Sequence, residues 1–176
     1  YEDSVILADY SYYYLSEVSD EIMTLTGSYV QFKHRFTNKL SLTGGAHFQY
    51  FTMNESKSIE PRLGLKWELN SKHTIGAGAG IHSQLQPRLF YFQKTTVNDV
   101  NYFTNKELDF SKSNQAVLSY DWLIHKNLRL KLESYYQYLN SIPVEQNPTH
   151  FSMINYGTLF FEERTDSLFN EGTGEN

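Results

Sequence analysis

The chain has 176 residues, 20 acidic against 15 basic side chains, a formal net charge of −5 and no cysteine. The acidic balance argues against a nucleic-acid surface, which needs clustered positive charge. Without cysteine there is no disulfide framework and no thiolate metal site. No apolar run approaches the roughly 18 residues of a membrane helix. Both ends resemble the middle of longer segments, so the sequence predicts a piece of a larger protein.

The first two predicted elements are strands at Leu25–Phe36 and Leu40–Met53. A short turn containing Asn and Lys joins them, and such residues are typical of hairpin turns. The first strand is the weaker of the two, because His34 interrupts its apolar side. Residues 1–24, with tyrosines at four of positions 10 to 14, are expected to be the tail of a loop.

The third predicted strand, Ile59–Leu69, alternates without interruption. Side chains of a strand point to opposite sides with a period of two, so one side is apolar and the other polar. The apolar set is Ile59, Pro61, Leu63, Leu65, Trp67 and Leu69, and the polar set is Glu60, Arg62, Gly64, Lys66 and Glu68. Soluble strands usually have about five or six residues. About eleven residues match a tilted strand that crosses a bilayer.

The fourth predicted strand, His73–Gln84, follows a second short turn and contains the run Ile75–Ile81, in which Gly alternates with Ala. This run is no phosphate-binding loop, because no Lys-Ser/Thr pair and no helical pattern follow it. Its glycines all fall on the polar side. Small residues there leave room for something bulky, such as a plug, or ease the curvature of the strand.

A long loop, Leu85–Ser111, leads to the last two predicted strands, Ser113–Ile124 and Leu128–Leu139, which share a third short turn. From Ser141 onward the chain is expected to be a long loop. Short turns therefore alternate with longer loops, and aromatic residues cluster at both ends of the strands. This pattern predicts an all-β, antiparallel up-and-down transmembrane barrel segment of about six strands with long extracellular loops. The alternative is a soluble β-sandwich or lectin-like sheet, which would bury one side of every strand.

The charged residues of the polar sides have two interpretations: a path that guides a solute, or a cross-strand ladder of opposite charges. The six histidines have no metal-ligand spacing, and no serine lies in a nucleophile elbow. The sequence therefore predicts no enzyme, no metal and no cofactor, and it disfavours an enzymatic outer-membrane barrel.

Recognition residues are expected in the loops, which carry function on a rigid scaffold. Aromatic residues accompany Arg and amides in Gln86–Gln93 and Tyr102–Asn105. Such sets stack on a sugar or grip a peptide, or they pack loop against loop. The candidate binding residues are two loop residues and four polar-side residues near the loop roots: Arg88, Tyr91, His82, Gln84, Tyr135 and Gln137.

Four motifs in this order resemble the barrel portion of TonB-dependent outer-membrane receptors. They are Glu60–Arg62, Gly80–Gln84, Glu133–Gln137 followed by Pro143–Val144, and Asn170–Asn176. The resemblance covers roughly Tyr29–Asn176. It is greatest to the subgroup that carries a carboxypeptidase-regulatory-like N-terminal extension.

The resemblance implies that residues 1–176 are part of one 22-stranded barrel domain with a plugged lumen. It further implies a bacterial outer-membrane location, with outer-membrane lipid, the protein's own plug domain and an inner-membrane energising complex as partners. The implied function is energy-coupled import of a small solute such as a siderophore, glycan, peptide or vitamin. A soluble or surface-attached β-sandwich that binds glycan is the alternative function.

Overall fold

The computed structural model describes residues 4–15, 22–93, 95–97, 100–146, 151–155 and 167–176. These form ten strands and one short helix. In chain order the elements are β1 Ser4–Leu15, β2 Ile22–Arg35, β3 Leu40–Phe51, β4 Lys57–Glu68, β5 His73–Gln84, α1 Arg88–Tyr91, β6 Thr95–Val97, β7 Val100–Tyr102, β8 Ser111–His125, β9 Leu128–Glu145 and β10 Leu168–Glu175.

Eight of the strands form one antiparallel sheet in the order β1-β2-β3-β4-β5-β8-β9-β10. Each strand pairs with the next long strand along the chain, which is the predicted up-and-down plan. β6 and β7 form a separate small hairpin inside the connection between β5 and β8. The described sheet is open, with β1 and β10 at its edges. No helix among the described residues has the length and apolar character to span a membrane.

Side-chain oxygens close the first two short turns. Thr37 Oγ1 accepts the backbone N–H groups of Lys39 and Leu40 at 3.1 and 3.0 Å. Asn70 Oδ1 accepts those of Lys72 and His73 at 2.9 and 3.1 Å. Thr and Asn therefore fix the chain reversal locally. Once the reversal is fixed, the register of the flanking strands follows.

The sheet has eight strands where about six were expected, because two further segments join it. β1 occupies residues that were expected to be a loop tail, and β10 lies within the expected long loop after Ser141. β1 is rich in tyrosine and branched residues, which favour strands. β10 has no apolar alternation, and its pairing with β9 shifts register on both sides of Gly172. β9 also continues past Ser141, which has a φ of 55°, as far as Glu145.

The sheet has an apolar face and a polar face. The apolar face carries Leu63, Leu65 and Trp67 of β4, and register extends it across the neighbouring strands. Large hydrophobic side chains on this face are exposed on five strands: Val30, Phe32, Phe48, Ile59, Leu63, Leu65, Trp67, Leu118, Leu130, Leu132 and Tyr136. The polar face carries Glu60, Arg62 and Lys66. The predicted assignment of sides is confirmed for these strands.

No second sheet covers the apolar face within the described ranges, and Ile59 is 68% exposed there. Burying one such side chain stabilises a protein by about 1.5–3 kcal/mol, so this face requires an apolar partner. A two-layer sandwich would bury these side chains in its centre. The arrangement therefore matches a barrel wall and differs from the alternative sandwich.

The main hydrophobic cluster lies at the end of the sheet opposite the short turns. Its centre is Phe51, which follows Gln49 on the polar face of β3 and packs on Tyr91 with ring centroids 5.3 Å apart. The other buried members come mostly from the long loop and β10: Met23, Phe90, Phe92, Leu108, Phe110, Phe151 and Leu168. The loop between β5 and β8 therefore folds over one end of the polar face.

Spin labels in the protein reconstituted in lipid vesicles test the assignment of the two faces. The chain has no cysteine, so each introduced cysteine labels one position of this region. Labels at Leu63, Leu65 and Leu130 should collide with oxygen dissolved in hydrocarbon. Labels at Arg62 and Lys131 should collide with a water-soluble nickel reagent. The reverse pattern would contradict the barrel wall.

Candidate functional site

The polar-face residues near the loop end come together across three strands. Backbone register places His82 of β5 opposite Ser113 of β8, and Gln84 opposite Ser111. On the other side of β8, Gln115 lies opposite Gln137 of β9. His82, Gln84 and Gln137 thus lie on one continuous polar surface below the long loop.

One hydroxyl group links two of these strands. Ser113 Oγ accepts hydrogen bonds from Gln137 Nε2 at 2.8 Å and from Gln115 Nε2 at 3.0 Å. We call Ser113, Gln115 and Gln137 the Ser113 cluster. Its two amides are oriented by a common acceptor, so their rotamers are restricted before any solute arrives. Such preorganisation reduces the entropy that binding would otherwise cost.

Tyr135 lies two residues before Gln137 on the same face, opposite Val117. Its side chain is 62% exposed. Its hydroxyl accepts a hydrogen bond from Asn176 Nδ2 at 3.2 Å. An exposed phenol on a polar wall offers both a ring face and a hydrogen-bonding group to a solute.

The two candidate binding residues of the loop, Arg88 and Tyr91, differ in their exposure to solvent. Arg88 begins α1 and is partly exposed. Tyr91 ends α1 and is fully buried against Phe51. Burial raises the pKa of Tyr91 far above its usual range, because the phenolate would lose its hydration. Tyr91 is therefore part of the hydrophobic core of the loop. This position agrees with loop-against-loop packing, and not with solute contact, as the role of this aromatic residue.

Glu60 is the centre of a second polar group, the Glu60 cluster. It is a charged side chain with only 1% exposure. Oε2 contacts His47 Nδ1 at 3.0 Å and accepts from Arg62 Nη2 at 2.9 Å. The remaining donors bind Oε1: Gln49 Nε2 at 3.1 Å, Ser58 Oγ at 3.4 Å and the backbone N–H of Ser83 at 2.9 Å.

The hydrogen bond to Ser83 explains why Glu60 is buried. Backbone pairing between β4 and β5 ends at Arg62 and Gly80. Past this pair, toward the loop end of the sheet, the carboxylate of Glu60 accepts the N–H of Ser83 on β5. A buried backbone donor must find an acceptor, and the side chain supplies it. Sequence reasoning placed Glu60 on the polar side but missed this role, because Ser83 lies 23 residues away.

Asparagine side chains attach the long loop to the rest of the structure. Asn54 Nδ2, in the connection between β3 and β4, donates to the carbonyls of Lys106 and Leu108 at 3.1 and 2.7 Å. The fully buried Asn105 accepts the N–H of Leu168 in β10 at 2.9 Å. Since side-chain amides mimic backbone groups, they satisfy loop residues that have no strand partner.

Asn170 of β10 holds the same end of this loop at the next residue, Asp109. Its Oδ1 accepts the N–H of Asp109 at 2.8 Å, and its Nδ2 donates to the carbonyls of Asp109 and Ser141 at 3.1 and 2.8 Å. One side chain therefore joins the loop to β9 at Ser141. Together the three asparagines hold the loop through its residues from Asn105 to Asp109.

The charged residues of the polar face form ion pairs, but mostly within one strand. Lys66 pairs with Glu68 at 2.6 Å and Lys131 with Glu133 at 2.8 Å, two residues apart in each case. Arg129 and Asp121 pair across β8 and β9, and His47 contacts Glu60 across β3 and β4. The expected cross-strand ladder is therefore only partly present, because neighbours at i and i+2 share a face and reach each other first. Within the described ranges no group of three potential metal ligands occurs.

Removing the charge of Glu60 should weaken the junction of β3, β4 and β5. Glu60→Gln replaces one carboxylate oxygen, a hydrogen-bond acceptor, by an NH₂ group that faces other donors. We expect a loss of about 1–3 kcal/mol in the free energy of unfolding, measured by urea denaturation in lipid vesicles. The control Glu133→Gln, in an exposed ion pair, should cost about 1 kcal/mol or less. Equal losses in both variants would contradict the central role of Glu60.

Removing the side-chain amide of Asn105 should release β10 from the loop. Asn105→Ala leaves the N–H of Leu168 without its acceptor, at a cost of about 1–3 kcal/mol. Hydrogen exchange of the Leu168 amide should accelerate by about tenfold or more, since each 1.4 kcal/mol is a factor of ten. Asn38→Ala, in the turn between β2 and β3 at the other end of the sheet, is the control and should leave that amide protected.

Three solved structures share this arrangement of strands. Searches with family models and among curated proteins gave no match. The chain is similar to a mutant ferric enterobactin receptor from Pseudomonas aeruginosa in complex with enterobactin, with a TM-score of 0.56 and 15% identity over 70% of this chain. It is also similar to that receptor in complex with BCV-L6 (TM-score 0.61, 14% identity, 82% coverage) and to a second mutant from P. aeruginosa (0.60, 14%, 88%).

The comparison concerns the fold. The chain covers 20%, 26% and 24% of these three receptor chains, so it corresponds to about a quarter of their length or less. An identity of 14–15% supports the common architecture. The predicted all-β, antiparallel up-and-down barrel wall is confirmed at this level.

Proposed function

We propose that residues 1–176 form part of one barrel domain in a bacterial outer-membrane receptor that imports a small solute by TonB-coupled active transport. The observation that carries this proposal is the separation of the two faces. Exposed apolar side chains run across β2, β3, β4, β8 and β9, and mostly charged, amide or small side chains occupy the opposite face of the same strands. The large hydrophobic residues exposed on that opposite face are Tyr29, Val117, Leu123 and Tyr135.

Lipid chains are the partner that this apolar face fits. Strands of 12 to 18 residues, β2 to β5 and β8 to β9, exceed the length that a tilted strand needs to cross the hydrocarbon. Charged side chains would cost about 2–4 kcal/mol at the bilayer midplane if they faced lipid. The central parts of these strands place theirs on the polar face, as a water-filled or plugged interior requires.

The loop end of the polar face supplies the proposed solute contacts. His82, Gln84, Tyr135 and Gln137 lie there, with Arg88 in the loop above them. Their hydrogen-bonding groups and one exposed ring suit a polar solute with planar or sugar-like parts. In this proposal the protein binds and passes its cargo without covalent chemistry.

The remaining parts of the proposal come from the resemblance of the motifs and from the fold. They are a plug domain inside the barrel, an inner-membrane complex that energises transport, and the subgroup with a carboxypeptidase-regulatory-like extension. The similar structures are receptors, and one is a complex with enterobactin. That similarity supports a small-solute cargo, for which siderophores, glycans and peptides are the classes to compare.

Uptake by cells tests the function. A strain without the parent gene should lose uptake of one class among a ferric catecholate siderophore, an oligosaccharide and a peptide. The intact gene should restore it. The parent protein should fractionate with the outer membrane. A parent that remains in the aqueous fraction without detergent would contradict the proposal.

Paired variants on β9 test the binding surface. Tyr135→Ala with Gln137→Ala should weaken binding of the imported class by about tenfold, the loss expected from one ring contact and one hydrogen bond. The matched control is Ser134→Ala with Tyr136→Phe, which changes neighbouring positions on the apolar face. Unchanged binding in the first pair would remove these residues from the site while leaving the transport function in place.

A further inference from the structure

The apolar face contains a hollow in the half of the sheet that is nearer the long loops. Its volume of about 720 Å³ lies within the range of about 300–1,000 Å³ that is usual for ligand pockets. Most of the residues that line it belong to the apolar face. One row of directly paired residues crosses it from β2 to β9: Phe32, Gly44, Leu63, Ala79, Ala116 and Tyr136. Six strands therefore build one concave site on the side that the proposed function assigns to lipid.

The hollow has large side chains on both sides of a floor of small ones. Leu63 of β4 and Tyr136 of β9 are 54% and 52% exposed, and Ala79 and Ala116 lie between them. Leu63 leans away from this floor toward Gly44, where a Cβ would lie 3.3 Å from Leu63 Cδ1. Three steps of about 4.8 Å separate β4 from β9, which gives roughly 14 Å between the two walls. We call this space the outer groove and define it by Leu63, Tyr136, Ala79 and Ala116.

Alternate residues of β8 give the outer groove a graded polarity. Every second side chain of a strand lies on the same face, and on the apolar face of β8 these are Lys112, Asn114, Ala116 and Leu118. Asn114 and Ala116 line the groove, and the 57% exposed Leu118 stands past its lower end. A cation is thus followed by an amide, a methyl group and an aliphatic side chain. This order matches the phosphate, the ester groups and the hydrocarbon chain of a lipid.

The length of this series matches one leaflet of a bilayer. Lys112 and Leu118 are six residues apart, which is about 20 Å along a strand. In a barrel whose strands tilt by about 35–45°, this distance corresponds to roughly 15 Å along the membrane normal. The hydrocarbon core of a bilayer is about 30 Å thick. Lys112 therefore lies at the level of the lipid headgroups when Leu118 lies near the midplane.

The charged groups of the apolar face are complementary to a phosphate. On β2 to β5, β8 and the part of β9 that pairs with β8, the Lys, Arg, Asp and Glu side chains of this face are Lys57 and Lys112, both at the loop end. The Lys57 ammonium lies 5.7 Å from the centre of the Tyr50 ring on the same face. Two acidic residues are near, Glu55 in the turn before β4 and Glu175 on β10 beyond the β9 wall, and neither lines the groove.

We infer that the outer groove holds an acyl chain of a phosphate-bearing lipid of the outer leaflet, with the phosphate at Lys112 and Lys57. The inference rests on the proposed function, because it requires a bilayer around the wall, and the long-loop end of such a barrel faces the outside. It goes beyond general contact with lipid. A chain in the groove contacts the floor and both walls, and dispersion contacts of this kind add up. The lysines then select a lipid with negative charge over a zwitterionic one.

Photo-crosslinking tests the occupant of the outer groove. The intact receptor is reconstituted in phosphatidylcholine vesicles that contain a few per cent of diphosphoryl lipid A. A benzophenone amino acid in place of Tyr136 should crosslink lipid A at about tenfold or more above its share of the bilayer, because a specific site concentrates its ligand. The same probe at Leu65, exposed on the same face but outside the groove, should crosslink lipid A in proportion to that share.

Filling the floor tests the seat of the acyl chain. Ala79→Leu should lower the enrichment of lipid A at position 136 by about fivefold or more, because the new side chain takes the place of buried hydrocarbon. Ala77→Leu makes the same change on the same strand and face, outside the lining of the groove, and should preserve the enrichment. The heat-dependent mobility of the folded barrel on a gel verifies that each variant is folded.

Neutralising the lysines tests the recognition of phosphate. Lys57→Gln with Lys112→Gln should lower the enrichment at position 136 by about fivefold or more, since basic residues near the membrane surface attract anionic lipid. Lys57→Arg with Lys112→Arg is the matched control, which keeps both charges and should preserve the enrichment.

The outcomes separate this inference from the proposed function. The inference is overturned, and the transport function left standing, when lipid A is not enriched at position 136 or is equally enriched at position 65. An enrichment that ignores Ala79→Leu or the loss of both lysines has the same consequence, as does a crosslink to a second copy of the receptor in place of lipid. A protein that does not insert into the vesicles overturns both. Enrichment that falls with both changes supports the inference.

Discussion

The alternation of side chains in long paired strands is the constraint on which the structure depends. A paired antiparallel ladder satisfies the backbone groups within the sheet, which is the condition for a strand in hydrocarbon. With the backbone satisfied, each side chain has only two directions. From Ser58 to Glu68 the residues of β4 then divide by face, with Leu63 and Leu65 on one face and Glu60 and Lys66 on the other. A partner for the apolar face must come from outside this chain's described residues.

The same constraint decides where the buried core is. The strands expose their hydrophobic side chains, so the core is built by the long loop, around Phe51 and Tyr91 at one end of the polar face. The loop has its own core, and the side-chain amides of Asn105 and Asn170 attach it to β9 and β10 next to the Ser113 cluster. The proposed recognition residues of the wall therefore lie beside a loop that is held by a scaffold of strands, which is where binding residues are commonly found.

The sequence predicted the strands in which polar and apolar residues alternate. It did not predict the strand and the side-chain positions that depend on contacts between residues far apart in the chain. β4 and β5 could be predicted because polar and apolar residues alternate along each strand. β10 could not be predicted, because Asn170–Glu175 has no apolar alternation and forms a strand through backbone pairing with β9. Likewise, the burial of Glu60 depends on Ser83 across a strand end. Tyr91 was a candidate for binding, but the position of its ring depends on Phe51, which is 40 residues earlier.

The glycine run of β5 shows how one short segment meets the demands of both faces. Gly76, Gly78 and Gly80 lie on the polar face, and Ala77 and Ala79 on the apolar face, so β5 is thin on both sides. On the polar face this thinness makes the floor between the long side chains of β4 and β9. A larger residue at position 76 would meet Ser119 at once. The long charged side chains of the two flanking strands, such as Lys66 and Lys131, therefore face a shared open space above this floor.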